Sequence, residues 1–485
     1  MMMMNFAAIT TEIGIVILML VTLVMDLLLG RGKSRAPVAY VTAIGLCALL
    51  VYTFGLYHGD RSLTFFAQLF IVDNYAIFFK QVFIVGMIFT VLFSLDYARK
   101  CIHYQGEFYT LLLSALLGMC TLASANDFVT SFVGLELMTV SFYALVGFRM
   151  DPTGTATSGE AAVKYLIFGA ASSAVMLYGI SLVYGATGSL VFAAMSRNIH
   201  LYYAAGLVGA VMVIVGFFFK LSVIPFHMWA PDVYEGAPTP VTALLAMGSK
   251  AAGIAVLMRV MYTAFPFIGY YWLPLIAIFS AICMIFGNIM AIHQTDVKRM
   301  LAYSSIAQAG YMMAGMAVAN AAGMKAVMFY AMLYVFANVG AFAVLCVVDT
   351  ERGGTDRRDI TGLAQASPIL AAVMTVSLLS MAGIPPTAGF SGKLYIFTAV
   401  VDGGYLWLAV VGFVMSMISA YYYLLVAKAM YRDLAAGEEW RAEPIAVPML
   451  AKITAAAAVI ITLGIGIYPE ILATMTNIAS QTFMR

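Results

Sequence analysis

The sequence predicts an all-α polytopic membrane fold of about fourteen transmembrane helices, and three observations carry that expectation. The 485 residues are 63% hydrophobic and 10% charged, with a mean hydropathy of +0.97. An ordinary soluble domain carries about 25% charged residues. The apolar residues fall into runs of about 20, the length that crosses a hydrocarbon core. The basic residues collect in alternate connections, as the positive-inside rule requires.

Taken in order, the apolar runs lie near 7–29, 36–57, 75–95, 108–124, 127–148, 160–187, 203–226, 238–262, 270–292, 298–319, 325–348, 368–386, 389–430 and 449–474. The 389–430 run holds the end of a broken span and one full span. The 298–319 run is the most polar. The opening stretch lacks a basic n-region and runs straight into a span-length apolar segment, so no cleavable signal peptide is expected.

With the first connection on the cytoplasmic side, alternate connections carry Arg31, Lys33, Arg35, Arg99, Lys100, Arg149, Lys298, Arg299, Arg352, Arg357, Arg358, Lys428, Arg432 and Arg441. The opposite side carries Arg61, Arg197, Lys325 and Arg485, with Arg259 near a span end, a ratio of fourteen to five. That bias persists along the chain only if the span count is even. Fourteen helices with both termini outside the cytoplasm satisfy it.

Composition also excludes function classes. The five cysteines, Cys47, Cys101, Cys120, Cys283 and Cys346, are scattered without a Cys-x-x-Cys pair, so no iron–sulfur, haem or zinc site is expected. No nucleotide-binding glycine loop is present, and neither cofactor nor metal is expected on this chain.

Removing the connections leaves Glu136, Lys164, Lys220, Lys250 and Lys393 at membrane depth. Lys80, Glu12 and Asp26 lie nearer span ends, where side chains can snorkel to the headgroups. Each charge near a helix centre costs roughly 2.5–3.5 kcal/mol, so the set costs on the order of 10 kcal/mol unless it does something. Pairing is the bland reading, with Glu136 bonded to Lys164 or Lys220. One acid cannot neutralise four lysines, however, and buried pairs are poor sources of net stability. A buried lysine can exchange a proton near neutral pH, whereas arginine holds its proton throughout. The surplus of lysine favours a proton relay.

Proline and glycine mark helix breaks beside two of these lysines. Pro225 follows Lys220, and "MAGIPPTAGFSGK" sets Pro385, Pro386, Gly389 and Gly392 before Lys393. Irregular backbone at membrane depth survives only inside protein or against a wet cavity. Two interrupted spans in two halves of a bundle point to repeats around a midplane site, although ordinary proline kinks are common in membrane helices. His227, after the first break, is either a packed histidine or a stepping stone for protons. Ser304, Ser305, Gln308 and Tyr311, with Tyr303, and then Tyr334 and Asn338, admit two readings. They stitch helices together, or they hold waters that conduct protons.

At this point the residues resemble a known family. "FKLSVIPFHMWAPDVYEGAPTPVTALLAMGSK" (219–250), "GLELMTVSFYALVG" (134–147), "QTDVKRMLAYSSIAQAGY" (294–311) and "SMAGIPPTAGFSGKLYIF" (380–397) are similar to the N-subunit family of respiratory complex I, the proton-translocating NADH:quinone oxidoreductase. That family is antiporter-like, shared with subunits L and M and with multisubunit Na⁺/H⁺ antiporters. The resemblance implies two inverted five-helix repeats with broken seventh and twelfth helices. The implied parts are helices 1–3 in 1–106, repeats in 107–265 and 266–435, and helix 14 in 436–485.

The family's key glutamate falls on Glu136, and its sixth-, seventh-, eighth- and twelfth-helix lysines fall on Lys164, Lys220, Lys250 and Lys393. His227 matches the histidine after the break. Many relatives carry a histidine where this chain has Gln308, which cannot ionise. The chain stops soon after helix fourteen, so the long lateral helix of subunit L is not expected. The implied mechanism makes Glu136 a switchable counter-ion for Lys220 and Lys164. Other complex I membrane subunits, antiporter-like neighbours and small subunits included, and a peripheral arm are the implied partners. NADH, FMN, iron–sulfur clusters and quinone would be bound there. No nucleic-acid partner is expected, and the setting would be a bacterial cytoplasmic (inner) membrane. The alternatives are a subunit of a stand-alone cation/proton antiporter or membrane-bound hydrogenase, and a non-transporting scaffold.

Overall fold

The computed structural model describes residues 9–29, 34–57, 62–149, 157–198, 203–434 and 439–483. Its helices run α1 Thr10–Leu28, α2 Ala36–Phe54, α3 Asn74–Cys101, α4 Gln105–Ser124, α5 Phe128–Val146, α6 Thr157–Thr187 and α7 Phe192–Asn198. They continue α8 Tyr203–Leu221, α9 Trp229–Gly236, α10 Thr239–Leu244, α11 Lys250–Thr263, α12 Gly269–Ile292, α13 Val297–Met316 and α14 Ala321–Arg352. The last are α15 Leu363–Ala366, α16 Pro368–Ala382, α17 Ala388–Asp402, α18 Leu406–Tyr431, α19 Met449–Ile467 and α20 Glu470–Phe483. A π-helical turn at Leu245–Ser249 joins α10 to α11, making one continuous crossing.

Among the described residues, twelve crossings are long and apolar enough to span a membrane by themselves. Two more complete the fourteen that the sequence predicts. One is α13, whose Lys298, Arg299, Gln308 and hydroxyls lower its hydropathy. The other is α16 with α17, two half-length helices around a break. The seventh crossing is interrupted in the same way, between α8 and α9. Both breaks hold a cis X–Pro bond, Ile224–Pro225 and Pro385–Pro386.

Local sequence explains the helix ends. Asp73, Asp127, Asp296 and Asn320 accept backbone N–H bonds at the starts of α3, α5, α13 and α14, from Ala76, Thr130, Arg299 and Gly323. Gly383 ends α16 with φ 83°, a left-handed conformation that glycine adopts without a Cβ clash. The sequence did not suggest the short hairpin of β1 Leu63–Phe65 and β2 Phe70–Val72, nor helices α7 and α20. The last predicted span, 449–474, ends at Ile467, and α20 begins after Pro469.

The bundle has a buried centre and a lipid-facing rim. The α14 and α10–α11 crossings are wholly enclosed, and α3 nearly so, whereas α1, α2, α6 and α19 bury about a third of their residues or less. The tightest pairs, α4 with α5, α6 with α8 and α12 with α13, all meet through glycine. A Cβ on Gly118 would stand 2.7 Å from the carbonyl oxygen of Gly134, and one on Gly310 would stand 2.9 Å from that of Ser280. Small residues let backbones approach where lipid gives helices no hydrophobic reason to associate.

Candidate proton-carrying site

The first break positions two predicted residues. Lys220 occupies the last turn of α8 and is 2% exposed. Its ammonium donates to Thr139 Oγ1 of α5 at 2.6 Å and lies 5.3 Å from the Phe219 ring centre. Past the break His227 is buried, its ring edge-on to Phe286, and its Nδ1 has no hydrogen-bond partner among the described residues. The Phe219 carbonyl near the helix end is satisfied by the Trp229 indole at 3.0 Å, which ties α9 back to α8.

Glu136 and Lys220 come close without touching. Glu136 is half-buried one turn before Thr139 on α5, and Ser173 of α6 donates to its Oε1 at 2.5 Å. Among the described residues Glu136 enters no ion pair with any lysine. Lys250, 1% exposed, opens α11 just beyond the π turn, and its ammonium has no hydrogen-bond partner among the described residues.

The second break has a fuller set of partners. The turn at Gly383 leaves the last carbonyls of α16 without helical donors. Lys393, 3% exposed, donates to the Ala382 oxygen at 2.9 Å and to Ser416 Oγ at 2.8 Å. Its ammonium rests 4.5 Å over the Tyr311 ring. Gln308 donates to the Met381 carbonyl at 3.1 Å, accepts from the Tyr330 hydroxyl, and lies 3.4 Å from the Tyr423 hydroxyl. Tyr423 in turn shares a hydrogen bond with Ser304. One polar thread thus joins Ser304, Tyr423, Gln308 and Tyr330 to the carbonyl beside the one that holds Lys393.

The other polar candidates are more local. Ser305 bonds to the Ala302 carbonyl at 2.7 Å and lies 3.4 Å from the Tyr234 hydroxyl. Asn338 bonds within its own helix to the Tyr334 carbonyl at 2.6 Å, a stitch inside α14. The Tyr311 hydroxyl lies near the Asn288 and Ser416 side chains.

Lys164 lies elsewhere. Only two turns into α6, its side chain is 40% exposed and pairs with Glu160 at 2.7 Å and Asp232 at 3.0 Å. Asp232 also takes Arg299, which pairs with Glu235, around a cavity of about 270 Å³. The expected contact between Lys164 and Glu136 is therefore absent among the described residues: Lys164 is held instead by Glu160 and by Asp232, which Arg299 shares.

Lys80 and Glu12 depart from expectation in the other direction. They do not snorkel but form a buried pair at 2.8 Å between α3 and α1. Asp26 does reach a helix end, where Arg35 meets it at 2.6 Å. Arg259, counted near a span end, is fully buried and clasps Asp73 through two bonds of 2.9 and 3.0 Å. Lys298, counted in a connection, is also buried and donates to the Ala237 carbonyl at the end of α9.

Sequence reasoning missed Thr139, Ser173, Ser416, Tyr330 and Tyr423. Only Thr139 carried a signal, three residues after Glu136 and so on the same helix face. The other four come from helices remote in sequence.

Residues 125–419 match the family described as NADH:quinone oxidoreductase/Mrp antiporter, TM. The chain is 48% identical to NADH-quinone oxidoreductase subunit N of Heliobacterium modesticaldum, over 99% of this chain and 100% of the relative. It is 47% identical to the subunit N of Desulforamulus reducens, over 99% of each. Among solved structures, a chain of respiratory complex I from Thermus thermophilus with bound aureothin superposes with a TM-score of 0.80 at 32% identity, over 96% of this chain and 99% of that one. A chain of the membrane-bound sulfane sulfur reductase, an archaeal respiratory membrane complex, gives a TM-score of 0.88 at 23% identity, over 99% and 98%, a likeness of fold. The chain therefore belongs to the subunit N family of NADH-quinone oxidoreductases, within the NADH:quinone oxidoreductase/Mrp antiporter family of transmembrane proteins.

Proposed function

We propose that this chain is a proton-translocating membrane subunit of a bacterial NADH:quinone oxidoreductase, sited in the cytoplasmic membrane with both termini on the outer side. Its partners in this reading are the other membrane subunits and the peripheral arm, where NADH, flavin, iron–sulfur clusters and quinone would be handled. In this reading the chain comprises an N-terminal part (1–106), two antiporter-like repeats (107–265 and 266–435), each holding one helix break, and a final segment (436–485).

One observation carries the reading. Lys220, Lys250 and Lys393 are each at most 3% exposed inside membrane-spanning elements, and among the described residues none is in an ion pair. Three unneutralised amines at membrane depth are expensive, and such groups mark ion and proton pathways. Protons would pass by Lys220, His227 and Lys250 toward Lys393, with the Ser304–Tyr423–Gln308–Tyr330 thread bordering the second break. The driving energy would arrive from the partner subunits, and Glu136 would pass it on as a switchable counter-ion, making and losing contact with Lys220.

The energies are of matching size. Two charges at about 4 Å interact by roughly 4 kcal/mol at an effective dielectric of 20. Moving one charge against about 150 mV costs about 3.5 kcal/mol. One ion pair rearranged can thus lift one proton. Lys164, at the exposed end, is left out of the counter-ion role and is read instead as part of the polar mouth.

The test is proton uptake by membrane vesicles during NADH oxidation, with assembled complex quantified in the same sample. Glu136→Gln and Lys220→Ala should each abolish or sharply lower uptake in assembled complexes. Full pumping in both would overturn the relay. Co-purification with NADH dehydrogenase subunits, rather than small antiporter subunits, separates this reading from a stand-alone antiporter.

A further inference from the structure

Glu136 and Lys220 are each hydrogen-bonded to a neutral hydroxyl. Thr139 donates its only hydroxyl hydrogen to the Leu135 carbonyl at 2.6 Å, so its oxygen has only lone pairs left to offer. Lys220 takes one of them, also at 2.6 Å. On the neighbouring helix Ser173 donates to Glu136 Oε1 at 2.5 Å. Glu136 and Thr139 are three residues apart on α5, hence on one face and separated by about 4.5 Å of helical rise. Glu136 and the hydroxyl that holds Lys220 thus sit a turn apart on one stripe, and each charge is bonded to a hydroxyl rather than to the other.

We propose that Thr139 and Ser173 form a latch that keeps the Glu136–Lys220 pair open, and that both are positioning residues for proton exchange at Lys220. The inference rests on the relay reading above and specifies how its central pair is controlled. A threonine oxygen satisfies an ammonium without neutralising it, so the bond competes with the carboxylate while leaving the lysine free to lose its proton. The lysine stem is long and flexible enough to swing by one turn. Alternative stops are few: the rings of Phe219 and Tyr143 stand 5.3 and 6.0 Å from the ammonium. Ser173 plays the matching part for the carboxylate, so closing the pair requires both hydroxyls to let go.

Thr139→Val keeps the side-chain volume and removes the acceptor. In vesicles containing the assembled complex, the number of protons moved per NADH should fall about tenfold, the factor that a hydrogen bond to a charged group represents. Thr139→Ser, which keeps the hydroxyl, should restore it. Ser173→Ala should lower the ratio in the same sense, and it carries the test if Thr139→Val does not assemble. The structure of the Thr139→Val complex should place the Lys220 ammonium within about 4 Å of the Glu136 carboxylate, the range of an ion pair. Lys220→Ala separates the two levels of the argument. If Lys220→Ala pumps normally, the relay itself fails. If Lys220→Ala is inactive while Thr139→Val and Ser173→Ala pump at the wild-type ratio, the relay stands and the latch is overturned.

Discussion

Lys393 sets its ammonium 2.9 Å from the carbonyl oxygen of Ala382, the last helical carbonyl before the break at Gly383. A helix C-terminus presents unsatisfied carbonyls and a partial negative charge, so an amine there is stabilised without a full counter-ion. Lys220 reaches a comparable state differently, through a threonine oxygen on another helix. Both lysines sit at broken crossings, both are hydrogen-bonded, and among the described residues neither is neutralised. At the second break the helix end itself supplies the polar group, and at the first a neighbouring helix does.

Replacing Lys393 by arginine separates charge from proton exchange. Arginine can still donate to the Ala382 carbonyl, but it keeps its proton at any physiological pH. The complex should assemble, and NADH-driven proton uptake should drop by about 100-fold or more, the scale of losing a proton-transfer group. Uptake at the wild-type rate would mean that Lys393 serves only as a fixed cation.

Gly389 is the sharpest steric constraint at the second break. A Cβ there would fall directly on the carbonyl oxygen of Ser380, which belongs to the helix on the other side of the turn. Because the obstacle is backbone, Gly389→Ala must push α17 away from α16 and carry Lys393 off its carbonyl. The expected result is lower complex abundance in membranes together with lost pumping in the fraction that assembles. Gly159→Ala, where the added Cβ meets nothing, is the matched control.

Much of this was legible in the sequence, for physical reasons. Span length and basic-residue bias give the crossings because the bilayer imposes one length scale and one charge asymmetry. Buried charge gives Lys220, Lys250 and Lys393 because lipid makes each one costly. Depth along a helix is harder to read. Lys164 and Lys220 lie in runs of similar hydropathy, yet one reaches the exposed end and the other stays enclosed. What differs is position along the helix: Lys164 lies two turns from the start of α6 beside Asp232, and Lys220 lies in the last turn of α8 against the break. The partners Ser173, Ser416 and Tyr423 were illegible because tertiary packing alone brings them to Glu136, Lys393 and Gln308.

Lys164→Ala should behave unlike Lys220→Ala. The Lys164 ammonium is shared between two acids at an exposed end, where water and salt screen the pairs. Proton uptake by Lys164→Ala vesicles should remain within about twofold of wild type, the usual reach of an exposed pair. A loss as severe as that of Lys220→Ala would return Lys164 to the relay.

The buried clasp between Asp73 and Arg259 gives the clearest stability prediction. Both side chains are 2% exposed, two bonds of 2.9 and 3.0 Å join them, and Arg259 adds a third to the Ala123 carbonyl at 3.1 Å. Asp73 also caps α3 through the Ala76 amide at 2.7 Å. Arg259→Met leaves a carboxylate buried without its cation, which costs about 3–5 kcal/mol. Asp73→Asn keeps an oxygen for the cap but strands the guanidinium at similar cost. The double variant removes both charges, so its loss should be smaller than the sum of the two singles, the signature of a coupled pair. Thermal unfolding of the purified complex reads all three. Strictly additive losses would mean that the two residues act through separate neighbours rather than through each other.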